Sequence, residues 1–272
     1  MSKRDVIRRT KFPNTVDSLK GDLESLGLEP GMTVLVHSSL SSLGWTCGGA
    51  MAVITALKEV LRNYGTLVMP THTTHLTDPS EWKAPPVPEK WWDTIRKNMP
   101  PFEPESTPSM GMGIIPECFR TLPDVLRSKH PHYSFAAWGE NAVNVLDNHS
   151  LEYGLGDGSP LARIYDLEGW ILLLGTAHAN NTSFHLSEYR AEYRSKREVI
   201  RHAPVLLNGH RRWKSFPDIN IDSSDFSRIG RDFLKHNRSS VKRGRIGIAG
   251  CELFPLRLCV DYGVKWISGR RR

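Results

Sequence analysis

The sequence predicts an α/β fold: one domain in which helices cover a sheet containing at least some parallel strands. Three observations predict it. Between residues 15 and 70 the chain alternates helical and extended patterns in the order of a βαβ unit. The apolar run 170–174 ends in Gly175 and polar residues before a helical pattern opens, as a buried strand does when its C-terminal end delivers side chains to a cleft. Finally, 272 residues at 39% hydrophobic content can bury a large core near the upper size for a single domain.

The elements follow in order. The N-terminal MSKRDVIRRT is basic without an apolar stretch behind it, and no window approaches the roughly eighteen apolar residues of a membrane helix, so a soluble, cytoplasmic protein is expected. Residues 15–28 carry Val16, Leu19, Leu23 and Leu26 at helical spacing, and Glu29, Pro30 and Gly31 stop the pattern. A short strand at 32–36 ends on His37. The Ser/Gly-rich HSSLSSLGWTCGG follows, then a helix at 50–64 with Val53, Ile54, Leu57, Val60 and Leu61 on one stripe. Gly65 stops that helix before a strand at 66–70 and the histidines His72 and His75. Residues 76–109 hold eight prolines and three tryptophans, which predicts a long, irregular but ordered insertion. Beyond it 114–122 is helical, 135–138 extended, 142–146 and 159–167 helical, and 170–174 a buried strand. After Arg190 the pattern is weaker: 203–207 and 212–216 read as paired strands, 226–237 as a helix and 246–249 as a strand.

A net charge of +7 raises nucleic-acid binding, because Lys and Arg that neutralise phosphates supply most non-specific affinity. The distribution argues against it. Basic residues crowd at the N-terminus, at 190–214 and at 268–272, while the intervening chain mixes both signs without a nucleic-acid-reading motif. A basic surface suits a small, phosphate-rich cofactor equally. Cys47, Cys118, Cys251 and Cys259 form no CxxC pair and no zinc spacing, so reduced, mostly buried thiols in a reducing compartment are expected.

Several constellations carry chemistry. His185 and Glu188 stand three apart in a helical pattern, the spacing at which a carboxylate orients an imidazole for general-base work; the same spacing also gives ordinary surface pairs. HSSLSSLGWTCGG offers backbone N–H groups before a helix, but it lacks both GK[ST] and GxGxxG, and a capped strand-to-helix turn explains it as well. Cys47 has no base assigned to it by sequence. His72 and His75 with His37 or His130 resemble metal ligands only in residue type; no HExxH or carboxylate triad accompanies them, and no metal is expected. His130 and His132 are expected to fix a loop and help wall the site.

Five segments in this order, VHSSLSSLGWTCGGAMAVITAL, STPSMGMGIIPECFR, SKHPHYSFAAWG, YGLGDGSPLARI and LLLGTAHANNTSFHLSEYR, resemble the aminoglycoside 3-N-acetyltransferase family over about residues 16–192, with a looser C-terminal part. The resemblance implies a single α/β domain around a central mixed sheet, distinct from GNAT acetyltransferases, spanning 1–272 with the insertion at about 76–109. It implies acetyl-CoA as cosubstrate, no metal, and transfer to the 3-amino group of a deoxystreptamine antibiotic, conferring resistance. The rival acceptor is the amine of another metabolite. Ser38, Ser39, Leu40, Leu43 and Gly44, with Ser106, Thr107, Ser109 and Met110, resemble the segments that line the pantetheine arm. His37 and His185 resemble active-site histidines, and Glu188 the acidic partner of the second. Ala179 stands where many relatives carry the Asp of a GHDxNT-like stretch, a change that bears on the histidine's basicity or on the amine accepted.

A polycationic acceptor calls for carboxylates at the mouth of the cleft, and Asp78, Glu81, Glu103 and Glu105 of the insertion, with Asp157, are nominated. The expected partners are therefore the antibiotic and acetyl-CoA, with neither nucleic acid nor membrane, and a homodimer among the expected assemblies. Direct transfer in a ternary complex, without an acyl-enzyme, is the expected mechanism.

Overall fold

The computed structural model describes residues 2–271. Helices α1 (Lys3–Arg9) and α2 (Val16–Leu26) each begin with a capping box, at Ser2 and Thr15, and α2 buries Leu19, Leu23 and Leu26. Strand β1 (Thr33–Ser38), the single turn α3 (Leu40–Leu43), α4 (Gly49–Leu61) and β2 (Thr66–Pro70) complete the first crossover. The insertion is built of 3-10 turns and α5 (Trp92–Asn98). Then come α6 (Ile114–Arg120), β3 (Leu126–Arg127), β4 (Phe135–Gly139), α7 (Ala142–Leu146), α8 (Pro160–Asp166), β5 (Trp170–Leu174) and α9 (Ser183–Arg190). The last third supplies β6 (Glu198–Leu207), β7 (His210–Ile219), α10 (Phe226–His236), β8 (Lys242–Ile246), β9 (Ala249–Pro255) and α11 (Leu256–Arg270).

Seven strands form one mixed sheet in the order β3-β4-β2-β1-β5-β9-β8. β1 runs parallel to both β2 and β5, and the outer pairings are antiparallel. The central strands read as continuous apolar runs because helices cover both faces. Their alternate side chains sort accordingly. Val34, Val36, Leu67, Met69, Leu172 and Leu174 pack with α2 and α4, whereas Leu35, Val68, Ile171 and Leu173 face the core shared by α8, α9, α10 and α11. Two residues beyond Leu35, His37 shares the second face.

β6 and β7 pair with each other alone, over their full length, through an Asn208–Gly209 turn with both φ values positive (51° and 75°). This hairpin holds the insertion: Phe102 N–H donates to the Pro204 carbonyl at 3.1 Å and Arg211 Nε to the Met99 carbonyl at 2.7 Å, while Arg201 pairs with Glu81.

The differences from expectation are local. The apolar stretch 246–249 is the tip of a hairpin, not a strand: Ile246 pairs with Ala249 across Gly247, whose φ of 57° turns the chain. α11 has no clean apolar stripe, yet it buries Leu256, Cys259, Val260, Trp266 and Ile267. Of the thiols only Cys251 and Cys259 are buried; Cys47 is exposed, which corrects the expectation of mostly buried cysteines. Among the described residues no helix is long and apolar enough to cross a membrane.

Candidate active site

β1 and β5 run side by side, with Ser38 opposite Leu174, so the loops that follow them open at the same sheet edge. Gly175, with a φ of 68°, turns β5 into its loop, and a Cβ there would lie 3.0 Å from that of Ser42. At this edge lies a cleft of about 860 Å³ lined by His37, Ser38, Ser39, Leu40 and Gly44 from the first loop and by Thr176, Ala179, Thr182 and His185 from the second. Its other walls come from α1 (Lys3, Val6, Ile7), His72 after β2, Gly111 to Pro116, and Ser223 with Phe226. Carboxyl ends of parallel strands are where α/β sheets place their ligands.

His37 is buried and its Nε2 has no hydrogen-bond partner; the same holds for Ser38 Oγ and His72 Nε2. Polar atoms in this condition are costly unless something else satisfies them, and the residues that carry them line the cleft. Burial, reinforced by His178 and His185, pushes the His37 pKa down to about 3, so this imidazole is neutral at pH 7. Burial likewise lowers His72 to about 3.

His185 and Glu188 sit on consecutive turns of α9. His185 Nδ1 is hydrogen-bonded to Glu188 Oε2, and Phe226 packs on the ring at 4.7 Å between centroids. The Glu188 side chain is fully buried, against 13% exposure for His185. With the carboxylate as acceptor, the network assigns the proton to Nδ1 and leaves the lone pair on Nε2. Glu188 Oε1 accepts from Asp222 N–H at 2.8 Å and from Arg271. α9 is pinned to α11 by Ser187 Oγ, which donates to the Val260 carbonyl at 3.0 Å.

The structure brings His37, His185, Ser38, Ser39, Leu40 and Gly44 together and leaves other nominated residues elsewhere. Leu43 is core. The STPSMG block enters the cleft only at Gly111. Ser109 N–H and Oγ are held by Glu117 (2.8 and 2.6 Å), and Met110 N–H donates to the His72 carbonyl at 2.8 Å. Ser106 and Thr107 line a separate cavity of about 760 Å³ with His75 and Trp82. His130 does fix a loop, its Nδ1 accepting from His132 and Tyr133 N–H at 3.0 Å, but neither His130 nor His132 walls the cleft.

The nominated carboxylates are not in the cleft wall, because arginines and local donors already engage most of them. Asp78 takes Arg96 Nε and Nη2 at 2.8 and 2.9 Å, Glu81 takes Arg201, Asp157 takes Arg190 at 2.8 Å, and Glu103 accepts from Ser106 at 3.1 Å. Glu105 engages Arg120 only through its backbone carbonyl, at 3.1 Å. Among the described residues, none that lines the cleft is Asp or Glu. Beside Ala179, His178 is buried against Phe184 and Phe254, with Nε2 3.2 Å from Glu252 Oε2, so a carboxylate reaches this histidine from β9. No three His, Cys, Asp or Glu side chains are placed to hold a metal ion among the described residues.

Sequence reasoning missed Phe226, Ser223, the α1 wall and Arg271. Phe226 was legible only as the apolar start of a helix, and nothing in the spacing links Arg271 to a glutamate 83 residues away.

Comparison with known proteins bears on this geometry. The family profile described as "Aminoglycoside 3-N-acetyltransferase" matches residues 35–268. The SPbeta prophage-derived aminoglycoside N(3')-acetyltransferase-like protein YokD of Bacillus subtilis is 47% identical over 265 residues, covering 97% of this chain and 96% of the relative. Aminoglycoside N(3)-acetyltransferase VII of Streptomyces paromomycinus is 34% identical over 291 residues, covering 100% and 99%. The solved structure of AAC-IIIb as a binary complex with CoASH superposes with a TM-score of 0.85 at 28% identity, covering 96% of this chain and 98% of that one.

Proposed function

This chain belongs to the aminoglycoside 3-N-acetyltransferase family, a family of acyltransferases, and from that premise we propose that it transfers acetyl from acetyl-CoA to the 3-amino group of a deoxystreptamine aminoglycoside. The observation that carries the reading is His185: a cleft-lining imidazole at the carboxyl edge of parallel strands, tautomerically fixed by a fully buried glutamate.

Fit supports acetyl-CoA as the cosubstrate. A cleft of about 860 Å³ is ample for a pantetheine arm. Its unpartnered His37 Nε2 and Ser38 Oγ want polar ligand atoms. Lys3 lies in its wall, where an ammonium suits a phosphate. The solved relative AAC-IIIb is a binary complex with CoASH.

The acceptor arrives as an ammonium. His185 Nε2 takes a proton from it, and the neutral amine attacks the thioester carbonyl. The tetrahedral oxyanion needs a donor. Ser39 and Ser42 N–H are already committed to the Leu174 and Ser39 carbonyls, at 2.9 and 3.1 Å, which favours the neutral His37 side chain, as an Nε2–H tautomer, over those two backbone groups. Collapse breaks the C–S bond. The second nitrogen proton passes to the CoA thiolate, so that amide and CoASH leave and no acyl-enzyme forms. Holding both substrates in one cleft supplies the proximity.

One observation favours a second reading, acetylation of a different amine: a polycation would meet no carboxylate in the described cleft wall. Steady-state kinetics with gentamicin, kanamycin and apramycin decide between them. Turnover of at least one supports the first reading; turnover of none, beside saturable acetyl-CoA binding, supports the second. A cytoplasmic setting accords with four free thiols, and a resistance role requires a raised inhibitory concentration on expression.

A further inference from the structure

Behind the His185–Glu188 pair stands a third residue with no place in the reaction as derived so far. Arg271 caps the C-terminal end of α11, and its side chain is 9% exposed. Nη1 is bonded to Glu188 Oε1. The rest of the guanidinium is fixed by its own partners: Nε donates to Asp225 Oδ2 at 2.8 Å, and Nη2 donates to Asp225 Oδ1 and to the Asp222 carbonyl, both at 2.6 Å. The face of the Tyr193 ring lies 5.4 Å away. A bidentate fork of this kind has little freedom to turn.

The two oxygens of Glu188 therefore have separate duties. Oε1 is clamped by Arg271 and by Asp222 N–H, and Oε2 meets His185 Nδ1. A carboxylate buried this completely needs a partner for its charge. A carboxylate free to rotate would also loosen the ring that it orients. The segment 222–225, which gives Phe226 to the face of His185, is tied by the same guanidinium.

We propose that Arg271 is a positioning residue for acetyl transfer: by clamping Glu188 Oε1 it holds Oε2 on His185 Nδ1, and so keeps the tautomer whose lone pair is on Nε2. The proposal rests on the reading of His185 as the base, and the test separates the two.

Arg271→Met keeps the aliphatic stem and removes the fork. In the full-length enzyme, kcat should fall by roughly 10- to 100-fold, the usual cost of losing a partner that orients a functional histidine, with KM for acetyl-CoA unchanged. The acidic limb of kcat/KM against pH should also be displaced, because the charge on the pair and the ring's tautomer both depend on the clamp. A purely structural role leaves that limb in place. In a Glu188→Gln background the same substitution should cost less than it does alone, because the part of its effect that runs through Glu188 is already lost. Wild-type kcat and pH profile in Arg271→Met overturn the proposal, as does an equal loss in both backgrounds. If Arg271→Met fails to fold, Arg271→Lys carries the test: a partial loss of kcat supports the clamp, and full activity overturns it. His185→Gln separates the underlying reading. Undiminished turnover there removes the base and the clamp together, whereas a crippled His185→Gln beside an intact Arg271→Met removes the clamp alone.

Discussion

Gly263 of α11 lies against Ser187 of α9 so closely that a Cβ on the glycine would stand 2.4 Å from Ser187 Oγ and 2.8 Å from its Cβ. Ser187 lies between His185 and Glu188 in sequence, so the spacing between these two helices sets where the His185–Glu188 pair sits relative to the sheet edge.

Gly263→Ala should force the helices apart. Overpacking of this kind costs about 1–3 kcal/mol, read as a lower midpoint in urea, and kcat should drop with it. Adding Ser187→Gly should recover part of both, because the two sites share one contact. Independent, additive effects would refute the coupling.

His185→Ala removes the proposed base. General-base catalysis is worth about 10² to 10⁴ in rate, so kcat should fall within that range while calorimetry shows acetyl-CoA binding nearly intact. An active His185→Ala enzyme ends the assignment.

His37 is offered as the oxyanion donor. Loss of one such donor costs about 10² to 10³ in kcat, and His37→Ala should show it without a matching rise in the KM for either substrate. A change confined to KM would instead make His37 a binding residue.

Cys47 is exposed and does not line the cleft. Cys47→Ser should keep near-normal turnover. Complete loss with retained acetyl-CoA binding would point to an acyl-enzyme and against direct transfer.

Burial of several neutral histidines predicts acid lability. Burial lowers His37 and His72 to about 3, His132 and His149 to about 4, and His130 well below its ordinary value. In the unfolded chain each takes up its proton at about 6.5. Stability is therefore fully present above that pH and declines as pH falls below it, by up to ~1.4 kcal/mol per unit for each histidine until its folded pKa is reached. Melting temperatures measured from pH 7.5 down to 5 should fall steadily; a flat profile would contradict the burial.

Periodicity alone located the central strands, α2 and α4, because an apolar stripe or run records which face of an element is covered. It also placed His185 one turn from Glu188, a relation internal to one helix. It misread 246–249, where two strand ends and a turn share one apolar run, and it missed α11, whose buried residues are interleaved with charged ones. Tertiary structure alone decided that His37 from β1 shares a cleft with His185 from α9 and that the nominated carboxylates lie outside its wall, most of their side chains already engaged. It alone joined Arg271 to a glutamate 83 positions away. The reason is geometric: spacing along the chain fixes angles within a helix or strand, whereas contacts between elements depend on how their covered faces pack, which no local pattern encodes.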